Sequence, residues 1–108
     1  MKQNKEKLCL VYIICGSMKE AKYIGQILVK ENLAACVNIL REMVSIFRWE
    51  GELEESNEVV VIAKTRKTLI NGLLKSVKRN HSYECPCILE LPIQGGNSDF
   101  LNWVESET

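Results

Sequence analysis

The chain has 108 residues, 46% of them hydrophobic and 26% charged, with 14 basic side chains balanced by 14 acidic ones. That length gives one domain, residues 1–108, burying roughly two-thirds of its unfolded surface. A neutral balance supplies no basic stripe for a polyphosphate, which argues against nucleic acid as a partner.

Met1 to Glu6 is polar and lysine-rich and is expected to fray. Leu8 to Cys15 is a continuous apolar run ending at Gly16, the pattern of a strand covered on both faces. It is too short to span a bilayer, and Lys2, Lys5 and Lys7 precede neither an extended apolar core nor a cleavage site. A cytoplasmic protein with no membrane partner is expected. Ser17, with Glu20 three residues on, has capping-box spacing and starts a helix. Ala21, Ile24, Ile27, Leu28 and Val29 form its apolar side, and Gly25 marks a close approach to the sheet.

From Ala34 to Glu50 the period falls towards two: Ala35, Val37, Ile39, Met43, Phe47 and Trp49 share one parity. Leu40, Val44 and Ile46 breach that alternation. Either a bulge near Arg41 and Glu42 or a strand partly covered on both faces would account for the breach. Glu50-Gly51-Glu52 is a turn and Glu58 to Lys64 the return strand, so the centre of the chain is a hairpin from about Ala35 to Lys64. Such strands exceed the usual length of about 5–6 residues. Their overhanging edges call for cover by another chain, and self-association is expected.

Thr65 or Thr68 is the expected cap of a second helix, with Leu69, Ile70, Leu73, Leu74 and Val77 on one side. Lys75, Lys78 and Arg79 load its last turn and Asn80 ends it. His81 to Glu84 reads as a connection that presents side chains. Pro86 then pushes Cys85 towards extended geometry ahead of a strand from Cys87 to Ile93. Gly95-Gly96 leads to a cap at Asn97 or Ser98 and a short helix carrying Phe100, Leu101, Trp103 and Val104. The order βαββαβ plus a terminal helix describes a ferredoxin-like α+β sandwich with a long central hairpin. Five cysteines form an odd set without a secretory signal, so reduced thiols are expected. Cys9, Cys15 and Cys36 stand among apolar residues and read as core.

Six ordered motifs go further. LAACVNI (Leu33 to Ile39), SIF-W-G (Ser45 to Gly51), E-x-x-x-x-x-KT ending at Lys64-Thr65, H-x-Y-E-x-P (His81 to Pro86), LP (Leu91-Pro92) and GN-x-x-F-L-x-W (Gly96 to Trp103) cover nearly the whole chain. In order and spacing this set resembles the CutA divalent-cation-tolerance family. The resemblance implies a subunit similar to the PII signalling proteins, a compact homotrimer paired through the long hairpin, and an association with divalent-metal tolerance and copper. It brings no settled enzymatic activity. The chain departs from many relatives at Arg41-Glu42, where they have Pro-Gly, and at Asn80, where some have the first of two adjacent histidines. Cys87 stands in place of a frequent glutamate.

By that resemblance the metal candidates are His81 and Cys15, to which this chain adds Cys85 and Cys87. Imidazole and thiolate favour copper and zinc over magnesium or calcium, and two cysteines at i and i+2 in an extended segment face the same side. C-x-C remains weak beside paired C-x-x-C, and two strand-start cysteines beside an exposed histidine is the plainer reading. A second reading is a small-molecule or anion sensor. Trp49, Glu58, Lys64, Tyr83, Glu84 and Trp103 mix aromatic surface with charge, and in a trimer they would line an intersubunit cleft. For the tryptophans, packing in a core or an interface is the alternative. A Cys-His nucleophile pair is the catalytic arrangement the composition permits. With no glycine-rich phosphate loop, no paired-carboxylate motif and no second histidine, no catalytic residue is assigned.

Overall fold

The computed structural model describes residues 7–108, so the fraying expected of Met1 to Glu6 lies outside the described residues. Strand β1 (Leu8–Cys15) leads into helix α1 (Met18–Lys30), then the hairpin strands β2 (Cys36–Trp49) and β3 (Glu52–Arg66). A 3-10 turn (Lys67–Leu69) opens α2 (Ile70–Asn80), and β4 (Ile88–Pro92) and α3 (Ser98–Ser106) complete the chain. The sheet order is β2-β3-β1-β4 and every neighbouring pair is antiparallel. This is the expected ferredoxin-like α+β arrangement.

The helices cover one face of the sheet. Cys9, Val11, Ile13 and Cys15 of β1 stand beside Thr65, Ala63, Val61 and Val59 of β3, and all eight are buried. Ile24 and Leu28 of α1 and Leu73 and Val77 of α2 close that core. Cover on both faces of β1 was expected, but Leu10, Tyr12 and Ile14, on the helix-free face, are only half-buried within the chain. The apolar run therefore marks a second surface that one chain does not cover by itself. Gly25 lies where expected, against the sheet: a Cβ there would meet Val37 Cγ2 at 2.9 Å. The stripe of α1 is narrower than its sequence suggests, since Val29 is exposed.

Two local features shape the hairpin. Glu50 and Gly51 both have positive φ, as a two-residue type I′ turn requires, so Trp49 pairs directly with Glu52. The return strand consequently starts at Glu52 rather than Glu58 and runs to Arg66. Between Leu40 and Met43 the register shifts by one extra residue on β2, with Glu42 at φ +65°, which is the bulge anticipated at Arg41-Glu42. One inserted residue exchanges the two faces of a strand. Before the bulge Val37 and Ile39 face the helices, and after it Met43, Ser45, Phe47 and Trp49 turn to the helix-free face. The Tyr12 hydroxyl reaching Met43 Sδ at 3.5 Å places Met43 on that side.

Neither Thr65 nor Thr68 caps α2. Thr65 lies inside β3, fully buried, and its hydroxyl donates to the Leu33 carbonyl at 2.7 Å. The 3-10 turn takes over as the helix entry. At the far end of the chain Asn97 does cap α3, accepting from the Asp99 N–H at 2.9 Å. Val104 and Leu101 seat that helix against Leu8, Ala35 and Ile93.

Candidate functional site

The connection from α2 to β4 crosses the C-terminal end of β1, and that crossing gathers the polar chemistry. Ser17 caps α1 by accepting from the Glu20 N–H at 3.1 Å. Glu20 reaches back as a capping-box carboxylate does, but to Gly16 rather than Ser17: Oε1 accepts from the Gly16 N–H at 3.1 Å. Its other oxygen accepts from the Ser82 N–H at 2.6 Å and lies 3.8 Å from His81 Nδ1. Burial opposes the charge on Glu20, yet the Gly16 and Ser82 bonds and nearby His81 outweigh it and hold the carboxyl below its ordinary range.

His81 does not project into solvent; its side chain is fully buried. Nδ1 accepts from the Tyr83 N–H at 3.0 Å, which puts the ring proton on Nε2, donating to the Ile14 carbonyl at 2.7 Å. Cys15, also fully buried, completes a group with Glu20 and His81 whose ligand atoms all lie within 4.8 Å of one another. Burial pushes its thiol up to about 12, helped by the charges of Glu20 and Glu58. Thiolate, imidazole and carboxylate together make a donor set whose chemistry would suit a borderline ion such as copper or zinc. To hold one, Cys15 must lose its proton and His81 must exchange a backbone partner for the ion.

Of the sequence candidates for metal, the structure thus brings Cys15 and His81 together and adds Glu20. The Ser17-x-x-Glu20 spacing had signalled Glu20 as a cap. A capping carboxylate has two oxygens, and here the second serves the Ser82 N–H beside His81. Cys85 and Cys87 stay outside the group, because the crossing turns them to the opposite side of β1. There they line a cavity of about 780 Å³ on the helix-free face, with Ile14, Phe47, Trp49, Glu54, Glu58, Tyr83 and Glu84 among its other walls. Phe47 and Trp49 reach this cavity through the face exchange at the bulge. Glu58 is 7% exposed, and its Oε2 accepts from the Tyr83 hydroxyl at 2.7 Å. Burial and the Glu58 carboxylate raise the Tyr83 phenol, and burial with the charges of Glu58 and Cys85 raises the Cys87 thiol.

The cleft candidates separate in the same way. Trp49, Glu58, Tyr83 and Glu84 share the cavity, whereas Lys64 and Trp103 are outside it. Lys64 sits six residues along β3 from Glu58, roughly 20 Å at strand rise, and its ammonium bonds to Asn38 Oδ1. Trp103 belongs to α3, stacked at a tilt on Phe100 with centroids 5.6 Å apart. Within one subunit the described wall of the cavity holds the carboxylates of Glu54, Glu58 and Glu84, and Lys64 is not part of it.

A family model described as CutA1 divalent ion tolerance protein matches residues 9–107. The chain belongs to the CutA1 divalent ion tolerance family. It is 41% identical over 95 residues to the divalent-cation tolerance protein CutA of Archaeoglobus fulgidus, covering 88% of this chain and 92% of that one. With the corresponding Thermus thermophilus protein it shares 40% over 99 residues, covering 92% and 96%. The Oryza sativa CutA1 crystal structure superposes with a TM-score of 0.94 at 35% identity, covering 98% of this chain and 97% of that one. The chain spans only about half the length, 56% and 55%, of the curated rice and mouse relatives it matches. Among the described residues no helix is long and apolar enough to cross a membrane.

Proposed function

We propose that this chain serves divalent-metal tolerance as a cytoplasmic homotrimer that takes soft ions such as copper. The observation carrying this reading is the convergence of Cys15, Glu20 and His81 within 4.8 Å at the end of β1. Cys85 and Cys87 add two more thiols a few residues beyond His81, and all five cysteines are free thiols, as a reducing compartment favours. The similarity to the archaeal and Thermus divalent-cation tolerance proteins supports the same role. Trimer formation is supported by the overhang of the hairpin, which stretches the subunit to 54 × 25 × 23 Å, and by Leu40, Leu89 and Leu91 lying exposed on the helix-free face.

Titration against a competing Cu(I) chelator tests the metal reading. Affinity should rise with pH as ligand protons are released. Cys15→Ser and His81→Ala should each weaken binding at least tenfold, whereas Cys85→Ser with Cys87→Ser, outside the group, should change it little. Equal affinity in wild type and all variants would refute the site. Native mass spectrometry gives the subunit number in the same samples, and a folded monomer would refute the trimer.

A second reading is a PII-like small-molecule or anion sensor with a ligand cleft between subunits. It is favoured by one observation, the meeting of Trp49, Glu58, Tyr83 and Glu84 along one cavity of the subunit.

A further inference from the structure

We infer that the crossing segment is a latch released by metal: an ion held by Cys15, Glu20 and His81 and the present seating of Tyr83 exclude each other. This inference rests on the metal reading and names the regulation of that site. A neutral imidazole has one N–H and one lone pair. In His81 the N–H is at Nε2, donating to the Ile14 carbonyl at 2.7 Å, and the Nδ1 lone pair accepts the Tyr83 N–H at 3.0 Å. A metal-bound histidine commonly donates its other N–H to a backbone carbonyl or carboxylate, and Ile14 already fills that part. Nδ1 is also the nitrogen 3.8 Å from Glu20 Oε2. Binding through Nδ1 takes the lone pair on which the Tyr83 N–H rests. Binding through Nε2 moves the ring proton to Nδ1, which then meets the Tyr83 N–H donor to donor. By either nitrogen that N–H loses its acceptor, beside a fully buried side chain where water is a poor replacement, so Tyr83 must shift. The neighbouring Ser82 N–H, 2.6 Å from Glu20 Oε2, would share that oxygen with the ion. Tyr83 carries the shift onward. Its hydroxyl donates to Glu58 Oε2 of β3 at 2.7 Å, and its ring lies against Gly16, where a Cβ would come within 2.9 Å of that hydroxyl. Occupancy at the end of β1 is thereby passed to the hairpin strand β3. The coupling is reciprocal, so a loosened latch must favour the ion.

Amide hydrogen exchange followed by NMR on the full chain, metal-free and saturated with Cu(I) under reducing conditions, reads the latch residue by residue. A ligand that binds the native state slows exchange in general. The Tyr83 amide should do the opposite and exchange about fivefold faster or more with Cu(I), while amides of β1 and α1 slow. Tyr83→Phe removes the bond to Glu58, keeps the ring and changes no charge, and in competition with a chelator it should bind Cu(I) about fivefold tighter or more. If that variant does not fold, exchange in the wild type decides alone. A Tyr83 amide that slows or stays unchanged at saturating Cu(I), or a folded Tyr83→Phe that binds no tighter than wild type, overturns the latch and leaves the metal site standing. Failure of the wild type to bind Cu(I) at all overturns the metal reading, and the latch with it.

Discussion

Glu20→Gln separates the carboxylate's two tasks, holding the crossing segment and contributing to the donor group. In the wild type each carboxylate oxygen accepts a different backbone N–H, Gly16 at 3.1 Å and Ser82 at 2.6 Å. An amide has one accepting oxygen, so one bond is lost and an NH₂ is turned towards an N–H. A hydrogen bond to a charged acceptor contributes about 1.5–3 kcal/mol, and the side chain is only 13% exposed, so solvent replaces little of it. The expected loss at pH 7 is therefore about 2 kcal/mol, measured by urea unfolding at one fixed protein concentration because assembly adds to stability. The sign with pH is fixed by the lowered folded-state value of Glu20. Its contribution is complete above the ordinary carboxylate range and disappears as pH falls through the lower folded value. The gap between wild type and variant should close on acidification, and amide exchange at Ser82 should quicken at neutral pH. A gap below about 0.5 kcal/mol at pH 7, or one that persists undiminished in acid, would refute the assignment.

Gly25→Ala adds a methyl 2.9 Å from Val37 Cγ2, a short, stiff neighbour. Overpacking of about 1–3 kcal/mol should exceed the roughly 1 kcal/mol gained in helix propensity, so the variant should unfold at lower urea and be rescued by Val37→Ala. A more stable Gly25→Ala would show that Val37 gives way. Glu42→Gly relieves a left-handed residue at φ +65° and should stabilise the hairpin by about 1 kcal/mol while leaving Phe47 and Trp49 on the cavity face. Deleting Glu42 should exchange the faces and turn Phe47 and Trp49 away from the cavity, read as a shift of the Trp49 indole resonance; an unmoved resonance would refute the account of the bulge.

Composition, apolar runs and turn residues were enough for the order of strands and helices, for the capped start of α1 and for the overlong hairpin, and they narrowed the middle of β2 to a bulge or a strand covered on both faces. Each of these is written in contacts within a few residues, or in a parity that the chain itself displays. Leu40, Val44 and Ile46 showed that the alternation breaks, and the register shift between Leu40 and Met43 assigned the break to an extra residue rather than to cover on both faces. Cys15 and His81 were legible as candidates through the family motifs. Their meeting, 66 residues apart in the chain, depends on how the segment after α2 crosses the end of β1. Tertiary structure alone decided that Glu20 joins them, that Cys85 and Cys87 turn away towards Trp49 and Glu58, and that the Lys64 ammonium bonds to Asn38 Oδ1. It also moved Thr65 from a helix cap into the core, where its hydroxyl is satisfied by the Leu33 carbonyl. A side chain's type limits which partners it can use. Which of them it meets is set by register and by the path of connections, and these are fixed only when the whole sheet closes on its core.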